Sequence, residues 1–408
     1  MKHEGLLLLF LVPLFIVTLI LPSGFLFVLN IKPLVFAAVF GYLALSVTHG
    51  LIKVSKPEFI LNLIFILYLL IYYIIGISNG FDLIEVNAEL RIMLSTWFSL
   101  VFTVLFFRRA ENINIDVISI VFWVAISYFS IKLMVAIVGV LSGSGSSVIH
   151  ELMFNVTSPV WEIAPGIDRI QYINDLTVML LFFLCGHKLI LSKKINVTTF
   201  QVLAVVCFLA LVISYSRLLF LMFFVLLVLV LKDVNKFSFV RFSLFGLSVS
   251  VCFIAFDVEL VVSIVDAIAF RFDSGFNFES DIIRVLQFNA LINMWLDAPF
   301  FGHGIGAYSI EFLRGGEAGR HFLYEMQWLS LLMKFGLVGI FLIILSLLYY
   351  IRAQGKGAMK ENFIPFVTLL FFVFSSFTNP YLFSSSSGVF VALAVCVFSR
   401  RESLKRLC

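Results

Sequence analysis

Charge is what this chain has least of. Only 13% of its 408 residues are Asp, Glu, Lys or Arg, while 62% are hydrophobic, and the mean hydropathy is +1.11. A soluble globular protein is about a quarter charged, so a water-soluble fold is excluded. Alternation of apolar and polar residues is also lacking, which argues against an outer-membrane barrel. There are only five cysteines: four lie inside apolar runs and Cys408 is the last residue. Without CxxC or Cys/His ligand spacing, neither a disulfide framework nor a metal site is expected. No small-x-small cleavage site follows the N-terminal apolar run, so that run reads as an uncleaved first helix. The net charge of +4 sits at the ends of apolar runs, as a topology signal, and implies no nucleic-acid partner.

What is present is a series of continuous apolar runs of about 20 residues, the length a membrane helix needs. Twelve are read, at 6–22, 33–52, 58–77, 91–107, 116–141, 173–191, 197–213, 217–231, 239–256, 326–350, 362–377 and 384–399. The expected fold is an all-α polytopic membrane protein of about twelve transmembrane helices, a single integral membrane domain over 1–408. No internal repeat is visible. The 49 phenylalanines are read as packing and lipid-facing bulk.

Lysine and arginine near helix ends give orientation. One set of loops holds 18 of the 28 basic residues, from Lys2 to the Arg400–Arg406 cluster. The other holds eight: Lys32, Arg91, Arg169, Arg217, Arg271, Arg284, Arg314 and Arg320. The alternation places both termini on the cytoplasmic side. Two loops on the opposite face are long, at 142–172 and 257–325, the second between helices 9 and 10. Within the second, Ser280–Leu296 has apolar residues at helical spacing, a capping serine and Asp281 at the positive end, and reads as a surface helix.

Seven of the eight basic residues on that face are arginines, whose planar fork suits phosphate or carboxylate better than lysine does. Arg217 lies in Ser214-Tyr215-Ser216-Arg217, between two spans with almost no loop. It either snorkels at a helix end or clamps a phosphate at the interface. Arg271 and Arg284 either pair with Asp273, Glu279 or Asp281 or face a cavity. Gly302-His303-Gly304-Ile305-Gly306 follows no buried strand and opens no clear helix, so it reads as a tight turn supported by His303 and not as a nucleotide loop.

His321 and Glu325 are four residues apart, on one face if a helix begins near Arg320. A carboxylate at a membrane helix entrance is costly unless hydrated or paired. Glu325 is therefore either a general base partnered by His321 or Arg320, or an interfacial acid paired with Arg320 or Arg314. Tyr324 and Trp328 suit an aromatic belt or stacking on sugar rings. Lys132 and Lys334 fall within spans, where charge is functional or reaches out to the interface.

The order of these features resembles the O-antigen ligase/polymerase superfamily of bacterial envelope glycosyltransferases. Ser216-Arg217 opens a helix. A large external loop with Arg271 and Arg284 follows, then Trp295, Pro299, Gly302, Gly304 and Gly306 in a W-x-x-x-P-x-x-G-x-G-x-G pattern, then a helix containing Gly336 and Gly339. The resemblance covers about 210–345. It implies a GT-C-like, inverting glycosyltransferase of the bacterial inner membrane with a periplasmic active site. The implied enzyme needs no metal or cofactor and uses an undecaprenyl-pyrophosphate-linked oligosaccharide. Membrane lipid, a flippase and a chain-length regulator are the implied surroundings. Ligases carry His-Asn at the last helix entrance with a glycine eleven residues on. Here Glu325-Met326 stand in that register, with Gly336 eleven residues after Glu325, which favours the polymerase branch. The paired Arg-x10-Gly motifs of some polymerases are absent: eleven residues after Arg271 is Ile282, and after Arg284 is Trp295.

The expected roles are Glu325 and His321 in catalysis, Arg217, Arg271 and Arg284 on pyrophosphate, and Arg320, Tyr324 and Trp328 on substrate. The expected activity is O-antigen polymerisation. The alternatives are ligation of glycan to lipid A core and, from a different class, non-enzymatic flipping of lipid-linked sugars. Polar residues gathered at one face argue against transport, which favours broken midplane helices and repeats.

Overall fold

The computed structural model describes residues 2–21, 23–26, 29–142, 162–164, 167–234, 274–313, 320–353, 363–377 and 379–399. Twelve α-helices are found among them. They are α1 (Lys2–Phe15), α2 (Lys32–Thr48), α3 (Lys56–Ser78), α4 (Leu83–Asn112), α5 (Val117–Ser142), α6 (Asn174–Leu191), α7 (Val197–Ser214), α8 (Arg217–Val234), α9 (Ser274–Asp297), α10 (Gln327–Ala353), α11 (Phe363–Ser375) and α12 (Ser385–Ser399). The only strands described are two short hairpins, Phe25–Leu26 with Leu29–Asn30 and Glu162–Ala164 with Ile167–Asp168. Among the described residues six helices are long and apolar enough to cross a membrane, and four shorter stretches are apolar as well. The chain is an all-α polytopic membrane protein.

Eleven of the twelve expected spans fall on helices; the span at 239–256 lies outside the described residues. The expected surface helix is α9, begun six residues earlier than read. The largest difference is α4, which starts at Leu83, not residue 91. Glu85, Glu89 and Arg91 had made its first two turns look like loop; both glutamates instead turn inward and are buried.

The chain divides into two compact units, one of Met1–Val39 with Ala110–Phe278 and the other of Phe40–Arg109 with Glu279–Cys408. In the first, α6 is the central helix: from Asn174 to Ile190 every residue but Lys188 is buried. Stacked rings pack it, with Phe182 5.5 Å from Phe122 and 5.0 Å from Phe200 between centroids. Gly186 is required there, because a Cβ would lie 2.5 Å from the Phe200 ring. After α1 the chain widens into a π-helical turn, Ile16–Ile20, which frees backbone carbonyls that lipid cannot satisfy. The Asn174 amide supplies donors to two of them, Thr18 O at 3.3 Å and Leu19 O at 3.1 Å.

In the second unit α3, α4 and α10 share a core of Tyr68, Tyr72, Val86, Met93, Ile305, Leu331 and Phe335. Ser55 caps α3 by accepting from the Glu58 N–H, and Glu58 pairs with Arg108 of α4 at 2.8 Å. Gly388 of α12 sits against the α4 backbone, where a Cβ would be 2.1 Å from Thr96 O.

Candidate functional site

The glycine turn organises the second unit. Gly302, Gly304 and Gly306 all have positive φ, +66°, +93° and +81°, a region that other residues avoid. The turn is wedged into a gap in α10, which breaks at Gly336 (φ 59°, ψ −173°). In an unbroken helix the N–H groups of Leu337 and Val338 would donate to the carbonyls of Met333 and Lys334. Here they donate to Pro299 O (3.0 Å) and Phe300 O (3.1 Å). The vacated Met333 and Lys334 carbonyls accept from His303 N (3.0 Å) and Gly304 N (2.9 Å). Phe335 O accepts from the Tyr72 hydroxyl at 2.9 Å. Every backbone group released by the break named here is paired again, as apolar surroundings demand. His303 braces the turn through Nε2 to Met294 O at 2.6 Å, so the tight-turn reading of this motif holds.

Two carboxylates enter the same region from α4. Glu89 Oε2 accepts from Gly306 N at 2.7 Å and Oε1 from Lys334 Nζ at 2.7 Å. Lys334 also donates to Phe322 O at 2.9 Å. One helical turn earlier, Glu85 grips His321 twice, with Oε2 accepting from the backbone N–H at 3.0 Å and Oε1 2.7 Å from Nδ1. A carboxylate at Nδ1 places the ring proton there and leaves Nε2 as an acceptor. No partner for Nε2 is found among the described residues. The His321 side chain is 22% exposed against 1% for Glu85, so an oriented imidazole reaches the surface from a buried acid.

The structure corrects the expected helix start. Residues 320–326 form turns and bends, and α10 begins at Gln327. His321 and Glu325 therefore do not share a helix face, and each has its own partner. Glu325 Oε2 lies 3.3 Å from Arg284 Nε of α9. Arg284 thus reaches an acid 41 residues away in sequence, and the side chains of Asp273, Glu279 and Asp281 lie outside the described residues. Arg320 is exposed. Tyr324 is buried, its hydroxyl accepting from Ser309 N at 2.7 Å, and burial pushes its phenol up to about 12. In this structure it offers no open ring face for a sugar. Trp328 is half-buried and donates from Nε1 to Val373 O at 3.1 Å.

In the first unit, Arg217 opens α8 immediately after a sharp corner. Tyr215 turns the chain in the left-handed region (φ 51°, ψ 43°), with its N–H on Val212 O. Arg217 is half-buried, and no hydrogen-bond or ion-pair partner for it is found among the described residues. A cation there opposes the positive end of the helix, and the two together favour an anion. Lys132 does not reach the interface. It is buried and bonded to both oxygens of Asp175 at 2.8 Å. Arg271 lies outside the described residues.

Sequence reading missed Glu85 and Glu89. Their signal was two glutamates four apart at the head of a long apolar run, where unpaired carboxylates are costly.

These observations define a class: a polytopic helical membrane protein with an acid-gripped histidine just before a broken helix and, at the head of another, an arginine without a partner among the described residues. Residues 202–344 match the family model described as O-antigen ligase, consistent with the O-antigen ligase/polymerase superfamily. The matched segment contains Arg217, Arg284, the glycine turn, His321, Glu325 and Gly336, and the match supports an enzyme of that broad type. No curated protein and no solved structure matches the chain.

Proposed function

We propose that this protein polymerises a bacterial surface polysaccharide of the O-antigen type, transferring glycan from undecaprenyl pyrophosphate to a lipid-linked repeat unit at the periplasmic face of the inner membrane. The observation that carries the chemistry is the Glu85–His321 grip, which leaves Nε2 without a partner among the described residues. An acceptor hydroxyl attacks the anomeric carbon, its proton passes to His321 Nε2, and the bond to the pyrophosphate oxygen breaks with inversion. Undecaprenyl pyrophosphate leaves with the bonding electrons. General-base assistance of this kind contributes about 10²–10⁴-fold. Charge grows on the leaving pyrophosphate, where fixed guanidinium groups lower the barrier; Arg217, Arg271 and Arg284 are the expected contacts. Glu325, the other candidate base, is held by Arg284, and this favours an orienting role for it. The two-sided distribution of lysine and arginine supports cytoplasmic termini. Arg320 and Trp328 are kept as expected substrate contacts.

A second reading is ligation of finished glycan to lipid A core. Two observations favour it: the description of the matched family as O-antigen ligase, and a histidine just ahead of α10. Deleting the gene and resolving the surface glycan on a gel separates the readings. Loss of a polymerase leaves core carrying a single repeat unit. Loss of a ligase leaves bare core with accumulated lipid-linked polymer, and loss of a flippase leaves bare core without it. Either of the last two outcomes rejects polymerisation.

A further inference from the structure

The Lys132–Asp175 pair is buried and bonded throughout, and the transfer chemistry does not use it. Lys132 Nζ donates to Asp175 Oδ1 and Oδ2 at 2.8 Å each and to Ser214 Oγ at 2.7 Å, which occupies all three ammonium donors. Asp175 also accepts from the Tyr128 hydroxyl (2.6 Å), the Ser214 hydroxyl (2.9 Å) and the Tyr172 N–H (3.0 Å). Nothing is left on either group for a ligand. Stability alone does not account for the pair, because an apolar replacement of similar volume is often as stable as a buried ion pair.

We infer that Lys132 and Asp175 are positioning residues that set Arg217 for its ligand, acting through Ser214. Ser214 is the last residue of α7 and Arg217 the first of α8. The two residues between them carry the corner. A tyrosine in the left-handed region is an outlier for a bulky side chain, and it persists only where its surroundings over-determine it. The surroundings do so from several sides. The pair holds the Ser214 hydroxyl, Arg169 Nε donates to Ser214 O at 3.3 Å, and Ile170 N donates to Ile213 O at 3.0 Å. The corner fixes the direction in which α8 starts, and with it the root of the Arg217 side chain. The inference rests on the reading of Arg217 as the pyrophosphate contact and adds what aims it.

The test is a double-mutant cycle on the full-length protein in nanodiscs, with the affinity for undecaprenyl pyrophosphate as readout and undecaprenol, which lacks the anion, as control. Ser214→Ala leaves the ion pair in place and cuts its link to the corner. Arg217→Ala is expected to weaken undecaprenyl pyrophosphate binding roughly tenfold or more, and Ser214→Ala roughly fivefold. In the Arg217→Ala background Ser214→Ala is expected to add no further loss, and undecaprenol binding is unchanged throughout. If Ser214→Ala binds like wild type, multiplies the Arg217→Ala loss, or weakens undecaprenol equally, the positioning inference fails while the Arg217 reading stands. If Arg217→Ala itself binds like wild type, that reading fails and takes the inference with it. Should Ser214→Ala not accumulate in membranes, the isosteric double substitution Lys132→Met with Asp175→Asn replaces it in the cycle, with the same outcomes.

Discussion

Replacing Glu85 by glutamine changes one oxygen to NH₂ and tests the proposed base directly. The carboxylate now accepts twice, from the His321 backbone N–H at 3.0 Å and at Nδ1 at 2.7 Å. An amide has one acceptor oxygen. If that oxygen keeps the backbone N–H, the NH₂ faces Nδ1 and can only donate to it. The ring proton is then driven to Nε2, and the nitrogen that should take the acceptor's proton no longer can. The expected loss is that of a general base, about 10²–10⁴-fold in rate, equivalent to about 3–5 kcal/mol of transition-state stabilisation. Membrane vesicles carrying each variant, supplied with lipid-linked glycan extracted from the deletion strain, give the initial rate of transfer. His321→Ala should lose the same amount, and Glu85→Gln should cost nothing further in that background, because residues acting as one unit are not additive. A Glu85→Gln protein that retains more than half of the wild-type rate at equal protein level would refute the reasoning. So would losses that multiply.

Four further outcomes follow from the same geometry. Lys334→Met leaves Glu89 buried and unpaired and should destabilise the protein by about 3–5 kcal/mol; adding Glu89→Gln should recover part of this in a detergent melting curve. Gly304→Ala forces a Cβ to within 2.2 Å of Gly76 N at φ +93°. Left-handed strain of this order costs about 1–3 kcal/mol, so a lower melting temperature is expected, and an unchanged one would show that the turn yields. Tyr324→Phe orphans the buried Ser309 N–H at a cost of about 1–3 kcal/mol, read in the same melt, with transfer largely retained. Glu325→Gln should slow transfer less than His321→Ala does in the vesicle assay; the reverse order would restore Glu325 as the base.

Most helices were legible because membrane helices announce themselves as uninterrupted apolar runs. The exception is informative. The first two turns of α4 carry Glu85, Glu89 and Arg91 and read as loop, since the partners that make those acids tolerable, His321 and Lys334, lie more than 230 residues away in sequence. The glycine pattern gave a turn, but not that the turn would fill a gap in α10. Gly336 inside an apolar run looks like any membrane-helix glycine, and only its backbone angles reveal the break. For the site, residue types were readable and pairings were not. His321 and Glu325 look like partners at a spacing of four, and the chain between Arg320 and Met326 simply is not helical. Lys132 and Lys334 were both singled out by their position in apolar runs; what each one meets depends on tertiary packing.

The backbone exchange at Gly336 also bears on how the protein is made. A helix with an open gap is a poor passenger in lipid, since its unpaired amides and carbonyls each cost several kcal/mol there. The segment that closes this gap, residues 299–304, precedes it in the chain, with Gly336 following Gly306 by 30 residues. Chains emerge and fold from the N-terminal side, so α3 and the turn are already synthesised when the second half of α10 leaves the ribosome. A circular permutant opened between Gly306 and Gln327, in which α10 is made before its plug, should insert poorly even though it encodes the same contacts.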